Sequence, residues 1–354
     1  MENNIYHVLG VMSGTSLDGI DLCFVKFQYH GKWSFEIIHA ETIAYTQFWK
    51  SKLNDAINDK GHISEINEAY TEHLGNVIKD FLERYEIINS IDAVCSHGHT
   101  IFHEPDNGYT LQIGNLPNLA SQIGVKLICD FRTQDVKLGG QGAPLVPIGD
   151  GLLFNDYMFC INLGGFANLS FEQDGQRIAY DICPANIVLN HYIRKEGLEF
   201  DDKGIMASNG LVNSTLLDKL NSLAYYGLEA PKSLGLEWVL ENIYPLVDKF
   251  DLTTSDILRT FVEHIAIQIS KAIEHSNYNR VLITGGGAFN NFLMKRIESN
   301  TNNTIVIPDR HTIEYKEALI FGLLGVLKMR GEVNCLSSVT GAKYDHSSGV
   351  IFLP

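Results

Sequence analysis

The apolar positions fall into two similar successions. Residues 5–9 are apolar and strand-like, residues 20–27 alternate apolar with polar, and residues 33–44 read as a third strand that completes a meander. Residues 64–85 carry Ile66, Ala69, Tyr70, Leu74, Val77, Ile78, Phe81 and Leu82 at helical spacing, which marks one buried face. Short strands follow at 91–95, 109–114 and 125–129. A helix over 115–122 has Pro117 in its first turn and Gly124 as its stop. Further on, residues 157–163 are apolar, a glycine turn follows, and 169–173 resume as a strand. Residues 178–181 end a strand on a carboxylate, and Pro184 opens a helix running to about 195 with Asn186 in its first turn. Helices are expected at 234–250, 253–275 and 316–329. The second has Thr253 and Asp256 in a capping-box pattern, and the third has Glu317 in its first turn and Gly322 and Gly325 for close packing. A strand over 281–284 enters three glycines, and 304–307 is a last strand.

The turns of this pattern carry the chemistry. Between the first two strands lies Gly10-Val-Met-Ser-Gly-Thr-Ser-Leu-Asp-Gly-Ile-Asp21, longer and more polar than a hairpin needs. Glycine conformations, small hydroxyls and bare N–H groups let such a loop approach a polyanion, and Asp18 can hold a cation bridging phosphate oxygens. It is neither a Walker loop nor a nucleophile elbow. Strand, glycine turn and strand recur at Gly164-Gly165-Phe-Ala-Asn168, which suggests a duplicated domain. Gly285-Gly-Gly287 follows a strand and precedes a helix, suited to lying against a nucleotide, but it departs from Gly-x-Gly-x-x-Gly and a dinucleotide fold is disfavoured. Asp181, at a strand end beside a helix N-terminus, reads equally as an N-cap or a general base. His97, His99 and His103 invite a metal, but Gly98 breaks the strand and no carboxylate or cysteine clusters beside them. A polar lining at the end of a sheet strand is the better reading.

At 354 residues two domains are the default, and 45% hydrophobic with 19% charged residues describes a globular chain. The Gly/Pro-rich stretch 138–147 marks the boundary, giving domains 1–135 plus 337–354 and 136–336. A net charge of −15 argues against a general nucleic-acid or anionic-membrane binder. No signal peptide or membrane span is legible, and six scattered cysteines read as reduced, mostly buried thiols of a cytoplasmic protein.

Together the motifs resemble the anhydro-N-acetylmuramic acid kinases, of the acetate-and-sugar-kinase, heat-shock chaperone and actin superfamily. The matching stretches, in family order, are 10–21, His97-Gly-x-Thr100, Thr110-Leu-Gln-Ile-Gly114 and Asp130-Phe-Arg132. They continue with Leu138-Gly-Gly-Gln-Gly-Ala-Pro-Leu-Val-Pro147, Asn162-x-Gly-Gly-x-Ala-Asn-Leu-Ser170, Gly285-Gly-Gly-x-x-Asn290, Glu317-Ala318 and Ser338-Val-Thr-Gly-Ala342.

The resemblance implies an α/β fold of two actin-like, ribonuclease H-like domains with ATP in the cleft between them. The phosphate loops would include Gly14, Thr15, Ser16, Leu17, Asp18, Gly19, Ile20 and Asp21 on one side and Gly164, Gly165 and Asn168 on the other. Gly285, Gly286, Gly287 and Asn290 would serve the nucleoside, and Mg²⁺ would neutralise the phosphates, with Asp18 as its ligand. The reaction opens a 1,6-anhydro amino sugar with water and phosphorylates the freed O6. Asp181 matches the family's base and Glu317 its second carboxylate. His97, Thr100, Arg132, Gln141 and Asn186 would meet the sugar, Arg132 facing its lactyl carboxylate. The resemblance also suggests a homodimer. Three departures stand out: Asp181-Ile-Cys-Pro-Ala-Asn186 for Asp-Thr-Gly-Pro-Gly-Asn, His99 for glutamine, and Lys232-Ser-Leu-Gly-Leu-Glu237 for Lys-Ser-Thr-Gly-Arg-Glu. They keep open a non-catalytic or altered-specificity binding homologue, and the three histidines leave a further alternative, a metal-dependent hydrolase using His97, His99 and His103.

Overall fold

The meander at the N-terminus forms as read: β1 (Ile5–Ser13), β2 (Gly19–Tyr29) and β3 (Trp33–Ala44) pair antiparallel in sequence. They belong to a computed structural model that describes residues 4–14, 17–58, 62–274 and 279–354. Backbone contacts divide the chain into Met1–Leu153 with Tyr315–Pro354, and Phe154–Glu314.

The first division lies beyond the expected 135/136. Residues 138–147 are tied into the first unit instead of crossing out of it. The Gly142 N–H donates to Asp135 Oδ2 at 2.7 Å, the Gln141 N–H to the Thr340 carbonyl at 2.8 Å, and Arg132 Nη1 to the Gly142 carbonyl at 2.6 Å. The second division lies before the expected 336/337. Buried Lys316 pairs with buried Asp150 at 2.7 Å, and Gly149 packs against Ile320, which keeps that helix with the first unit.

In the first unit the sheet continues with β4 (Ala93–Glu104), β5 (Tyr109–Ile113), β6 (Leu127–Cys129) and β12 (Val350–Phe352). The strand order is β12-β6-β4-β1-β2-β3, with β5 paired to β4. β4 runs parallel to β1 and to β6. Leu9, Val11, Ile20 and Leu22 face helices Gln47–Asn58 and Ile63–Arg84. Helix Ile63–Arg84 buries the expected face, from Ile66 to Leu82. Val8 and Gly10 turn the other way, toward helix Arg310–Arg330, where Gly10 and Gly322 allow close approach.

The second unit repeats that path. β7 (Phe159–Leu163), β8 (Phe166–Gln173) and β9 (Gln176–Pro184) form a meander, and β10 (Arg280–Thr284) and β11 (Thr304–Val306) extend it in parallel, in the order β11-β10-β7-β8-β9. The order of β6-β4-β1-β2-β3 is the same. The duplication read from two glycine turns is therefore a duplication of topology, and each unit has the ribonuclease H-like arrangement of the actin-like fold. Helices Asn186–Ile193, Thr254–Ala272 and Asn291–Ser299 supply its core with Ile161, Leu163 and Leu169. Thr253 caps its helix as expected, accepting from the Asp256 N–H. The helix expected at 234–250 is shorter, Leu236–Trp238 to Tyr244–Val247, with one π turn at Val239–Ile243. Pro245 lacks the N–H that a regular helix would give the Glu241 carbonyl, and a wider turn accommodates that loss.

Candidate functional site

In the first unit the loop after β1 turns back at Leu17, which adopts φ 57° and donates its N–H to the Gly14 carbonyl at 3.3 Å. Thr15 and Ser16 lie outside the described residues. Asp18 is exposed at the loop's end, and its Oδ1 accepts the Gly19 N–H at 3.0 Å. Gly19 is required by packing, since a Cβ there would come within 2.6 Å of the Ile43 carbonyl oxygen. Ile20 is buried, so only its backbone faces a ligand. Asp21 accepts the Thr42 hydroxyl at 2.6 Å. Asp18 and Asp21 offer hard carboxylate oxygens, the donor type Mg²⁺ takes alongside phosphates.

Beneath the loop, the Ser13 hydroxyl lies 2.6 Å from the Tyr45 hydroxyl, 3.0 Å from that of Tyr70 and 2.8 Å from His99 Nδ1. Tyr45 and Tyr70 are also hydrogen-bonded to each other. Burial lowers His99 to about 4, so it is neutral at physiological pH. His99 thus completes a buried support under the loop after β1.

The sequence reading had Gly98 breaking its strand; β4 instead continues through it. Gly98 adopts φ 74°, and between Val11/Ser13 on β1 and Ser96/His99 on β4 one extra residue is accommodated. Such a bulge reverses the alternation of side chains. His97 packs on Phe321 of helix Arg310–Arg330, whereas His99 packs on Tyr45 and Tyr70. The two rings point to opposite faces, and His103 is bonded to Thr110 at 3.1 Å, so the three-histidine metal reading fails on geometry. His97 is instead a bracket: its Nδ1 donates to the Gly98 carbonyl at 2.8 Å, and its Nε2 accepts from Arg132 Nε at 2.9 Å. Burial holds it well below the usual histidine range. Arg132 is therefore fixed from two sides. Burial lowers it to about 10, opposed first by Glu317, and it stays cationic at neutral pH. Thr100 accepts from Gln112 at 3.4 Å, and the exposed Gln141 amide reaches Asp106 at 3.5 Å.

Glu317 was expected in the first turn of its helix. The helix begins at Arg310, so Glu317 stands mid-helix. The side chain reaches solvent, but the protein crowded around it raises its carboxyl, against the pull of Arg132 and Lys316.

In the second unit, register places Thr284, Asn162, Asn168 and Asp181 in one row across β10, β7, β8 and β9. Asn162, Asn168 and Asp181 share the face opposite Ile161, Leu163 and Leu169, which belong to the core. Asn162 was quoted within a motif but not singled out; its register with Asn168 is what reveals it. A bulge at Ile182 then turns Cys183 inward while leaving Asp181 on the polar face.

Asp181 was placed at a strand end beside a helix N-terminus. β9 in fact runs on to Pro184, and the N-cap of helix Asn186–Ile193 is Ala185, which makes no side-chain cap. The N–H groups of Ala185, Asn186 and Ile187 donate to the carbonyls of Gly165, Gly164 and Gly165. The N-cap reading of Asp181 is excluded. Its carboxylate instead accepts the Leu234 N–H at 2.9 Å, its carbonyl accepts the Tyr225 hydroxyl at 2.6 Å, and its N–H donates to the Lys232 carbonyl at 3.2 Å. Burial raises its carboxyl, partly offset by the Leu234 N–H. Tyr225 and Leu234 were missed because a backbone donor and a hydroxyl aimed at a carbonyl leave no residue-type signature.

Gly164 and Gly165 form the β7–β8 turn. The Asn186 Nδ2 donates to the Leu163 carbonyl at 3.1 Å, so this side chain clamps the turn. Gly285 adopts φ 80°, and a Cβ there would lie 2.6 Å from Asn162 Oδ1. Gly287 is closed by Leu163 at 2.7 Å, while Gly286 meets nothing within 4 Å and leaves its backbone open. Asn290 caps helix Asn291–Ser299, accepting the Leu293 N–H at 3.0 Å, which commits its carbonyl oxygen to structure. A cavity of about 520 Å³, lined by Tyr180, Ile182, Lys232, Gln268 and Lys271, lies on the other face of β9 from Asp181 and is separate from this row.

Of the departures from the family's usual motifs, Leu234 meets the Asp181 carboxylate, and it does so through its backbone N–H. Ile182 and Cys183 are buried in the core, and so is Ala185. The Leu236 side chain is exposed.

Residues 6–354 match the family model described as anhydro-N-acetylmuramic acid kinase. The chain is 31% identical to the anhydro-N-acetylmuramic acid kinase of Haemophilus influenzae, covering 98% of this chain and 97% of that one. It is 32% identical to the proteins of the same name from Pseudomonas savastanoi pv. phaseolicola (98% and 99% covered) and Vibrio cholerae (100% and 99%). Among solved structures, component A of the Acidaminococcus fermentans (R)-2-hydroxyglutaryl-CoA dehydratase is similar at a TM-score of 0.46 and 14% identity, covering 90% of this chain and 96% of that one. That likeness is too distant to bear on function. Among the described residues no helix is long and apolar enough to cross a membrane.

Proposed function

The chain belongs to the anhydro-N-acetylmuramic acid kinase family, and from that premise we propose that it opens 1,6-anhydro-N-acetylmuramic acid with water and phosphorylates O6 from ATP. The observation that carries the assignment of roles is Asp181, a carboxylate raised by burial and aimed by the Leu234 N–H on a polar row of sheet side chains. A general base is most effective when its pKa is moved toward the working pH.

In the proposed reaction Asp181 takes a proton from water as the water oxygen bonds to the anomeric carbon. The bond from that carbon to O6 breaks, and O6 bonds to the γ-phosphorus as ADP leaves. Asp181 then returns its proton to solvent, leaving ADP and the 6-phosphate. Glu317 orients the water. Arg132, held by His97 and Gly142, pairs with the lactyl carboxylate, a geometry a fixed guanidinium serves well. In the first unit the backbone at Gly14 and 17–21 takes phosphate oxygens; in the second, Gly164 and Gly165 do so, and the open backbone at Gly286 meets the nucleoside. Asp18 would hold Mg²⁺, which would supply charge neutralisation on the phosphates. A cell-wall recycling role, and with it a cytoplasmic setting, is part of this reading and goes beyond the family name itself.

Purified protein with Mg·ATP and the anhydro sugar is expected to yield ADP and the sugar 6-phosphate in equal amounts, read by coupled assay and mass spectrometry. ADP without phosphorylated sugar would overturn the proposal. Chelating divalent ions is expected to abolish turnover, with Mg²⁺ restoring it, and Asp18→Asn is expected to raise the Mg²⁺ concentration needed. Turnover unaffected by chelation would remove Asp18 from its role.

Gly286→Ala isolates nucleotide contact from folding. Its added methyl meets no protein atom within 4 Å, so the melting temperature is expected to hold. Loss of the close backbone approach is expected to weaken ATP by roughly tenfold, about 1.4 kcal/mol. Calorimetry showing unchanged ATP affinity would move the nucleoside elsewhere.

A further inference from the structure

A buried cluster in the first unit, unused by phosphoryl transfer, joins three donors of different chemistry. Asp135 lies in the short helix Thr133–Lys137 after β6, and Cys335 and His346 sit on facing stretches near the C-terminus, bridged by mutual N–H to carbonyl bonds at 3.1 Å. None of the three is more than 5% exposed. Asp135 Oδ1 accepts from Cys335 Sγ at 3.0 Å and from the Thr340 hydroxyl at 2.7 Å, and His346 Nε2 lies 3.7 Å from that same oxygen. One ligand atom from each residue lies within 4.8 Å of the others, and this is the sole such group among the described residues.

The histidine gives the second observation. His346 Nδ1 is 3.1 Å from the Tyr344 carbonyl, which only accepts, so Nδ1 carries the hydrogen. In the neutral ring Nε2 is then a lone pair. It is buried without a hydrogen-bond partner and aimed at a carboxylate oxygen, itself an acceptor. Two acceptors facing one another call for a cation between them. A histidine that gives Nδ1–H to a backbone carbonyl while presenting Nε2 to the interior has the orientation of a metal ligand with its outer partner in place. Sulfur, imidazole nitrogen and carboxylate oxygen together suit zinc and its near relatives, whereas Mg²⁺ and Ca²⁺ prefer oxygen alone.

We propose that Asp135, Cys335 and His346 bind a zinc-class divalent cation, with Thr340 donating to the Asp135 ligand. Binding exchanges the Cys335 thiol proton for the metal and releases that proton to solvent. The site fastens the C-terminal stretch to the segment after β6. Because Asp135 Oδ2 holds the Gly142 N–H, and the Gly142 carbonyl holds Arg132, the metal also steadies the loop behind Arg132. The competing occupant is a proton on Nε2, which would make an imidazolium–carboxylate pair.

Cobalt(II) distinguishes them. Untagged, chelator-stripped full-length protein titrated with Co²⁺ is expected to develop a thiolate charge-transfer band and the visible bands of a four-coordinate site. Both should reach a plateau at one equivalent and be abolished by Zn²⁺. Cys335→Ser is expected to lose the charge-transfer band, although five other cysteines remain. His346→Gln keeps the thiolate, and its zinc affinity is expected to fall at least roughly a hundredfold, the upper range for losing even an outer partner. That variant also carries the test if Cys335→Ser does not fold. No thiolate band at stoichiometric cobalt, a band that survives Cys335→Ser, or undiminished zinc affinity in His346→Gln would each overturn the proposal and leave the proton pair.

Discussion

Asp181→Asn is expected to lower kcat by roughly 10²–10⁴, the usual contribution of a positioned acid–base group, with ATP and sugar still binding. The amide keeps the size of the carboxylate and can still accept the Leu234 N–H, so what is removed is the basic lone pair. The pH dependence has a definite sign. Burial raises the Asp181 carboxyl, and the base acts ionised, so wild-type kcat is expected to fall with acidification at a higher pH than a free aspartate would set. Stability runs the other way. A group whose pKa is raised on folding stabilises the protein below its unfolded pKa, and that contribution disappears as pH rises through the folded value. At neutral pH the ionised Asp181 is therefore a burden on the fold, and Asp181→Asn should melt no lower than wild type. Stopped-flow and steady-state kinetics with thermal melts across pH check both halves. A variant within a few-fold of wild-type kcat would remove Asp181 as the base, and one that melts well below wild type would mean the loss is structural.

What the sequence conveyed and what it withheld differ in physical kind. Local rules sufficed where the signal is local: the face of helix Ile63–Arg84, the Thr253 cap and the two strand–glycine–strand turns all formed from residues near one another in the chain. The bulges at Gly98 and Ile182 were not legible, because an extra residue is defined only against a neighbouring strand's register. They decide which face His97, His99 and Cys183 take, and so decide the site. The early start of helix Arg310–Arg330 had a legible signal that the periodicity hid. Asp309, after Pro308, accepts the Thr312 N–H at 3.0 Å, an N-cap pattern read directly from Pro-Asp-x-x-Thr. The Asp135–Cys335–His346 cluster had none, since Asp135 lies 200 positions from Cys335 and no spacing motif spans such a distance.

Gly10→Ala tests the contact on which Glu317 depends. Gly10 lies on β1 where helix Arg310–Arg330 crosses the sheet, and an added Cβ would overlap the Ala318 carbonyl oxygen, fall 2.7 Å from its carbon and 3.2 Å from the Gly322 nitrogen. These are backbone atoms of a regular helix, with no rotamer to move aside. Overpacking commonly costs about 1–3 kcal/mol and more where the backbone must shift. At roughly 2–4 °C per kcal/mol for a unit of this size, and with the cost at the upper end because backbone must move, about 3 kcal/mol, the melting temperature is expected to fall by about 6–12 °C. The helix also carries Lys316 and Glu317, so surviving enzyme should show a depressed kcat as the Lys316–Asp150 pair is pulled apart. Gly322→Ala, on the facing helix, is the internal control. Its Cβ would meet Phe27 and Val8 side chains at 3.4 Å, a contact flexible side chains absorb, and replacing a mid-helix glycine gains about 0.5–1 kcal/mol of backbone entropy. The two one-methyl changes at a single interface should therefore move stability in opposite directions. Equal melting temperatures for the pair would mean that this helix does not rest on β1 as closely as Gly10 requires.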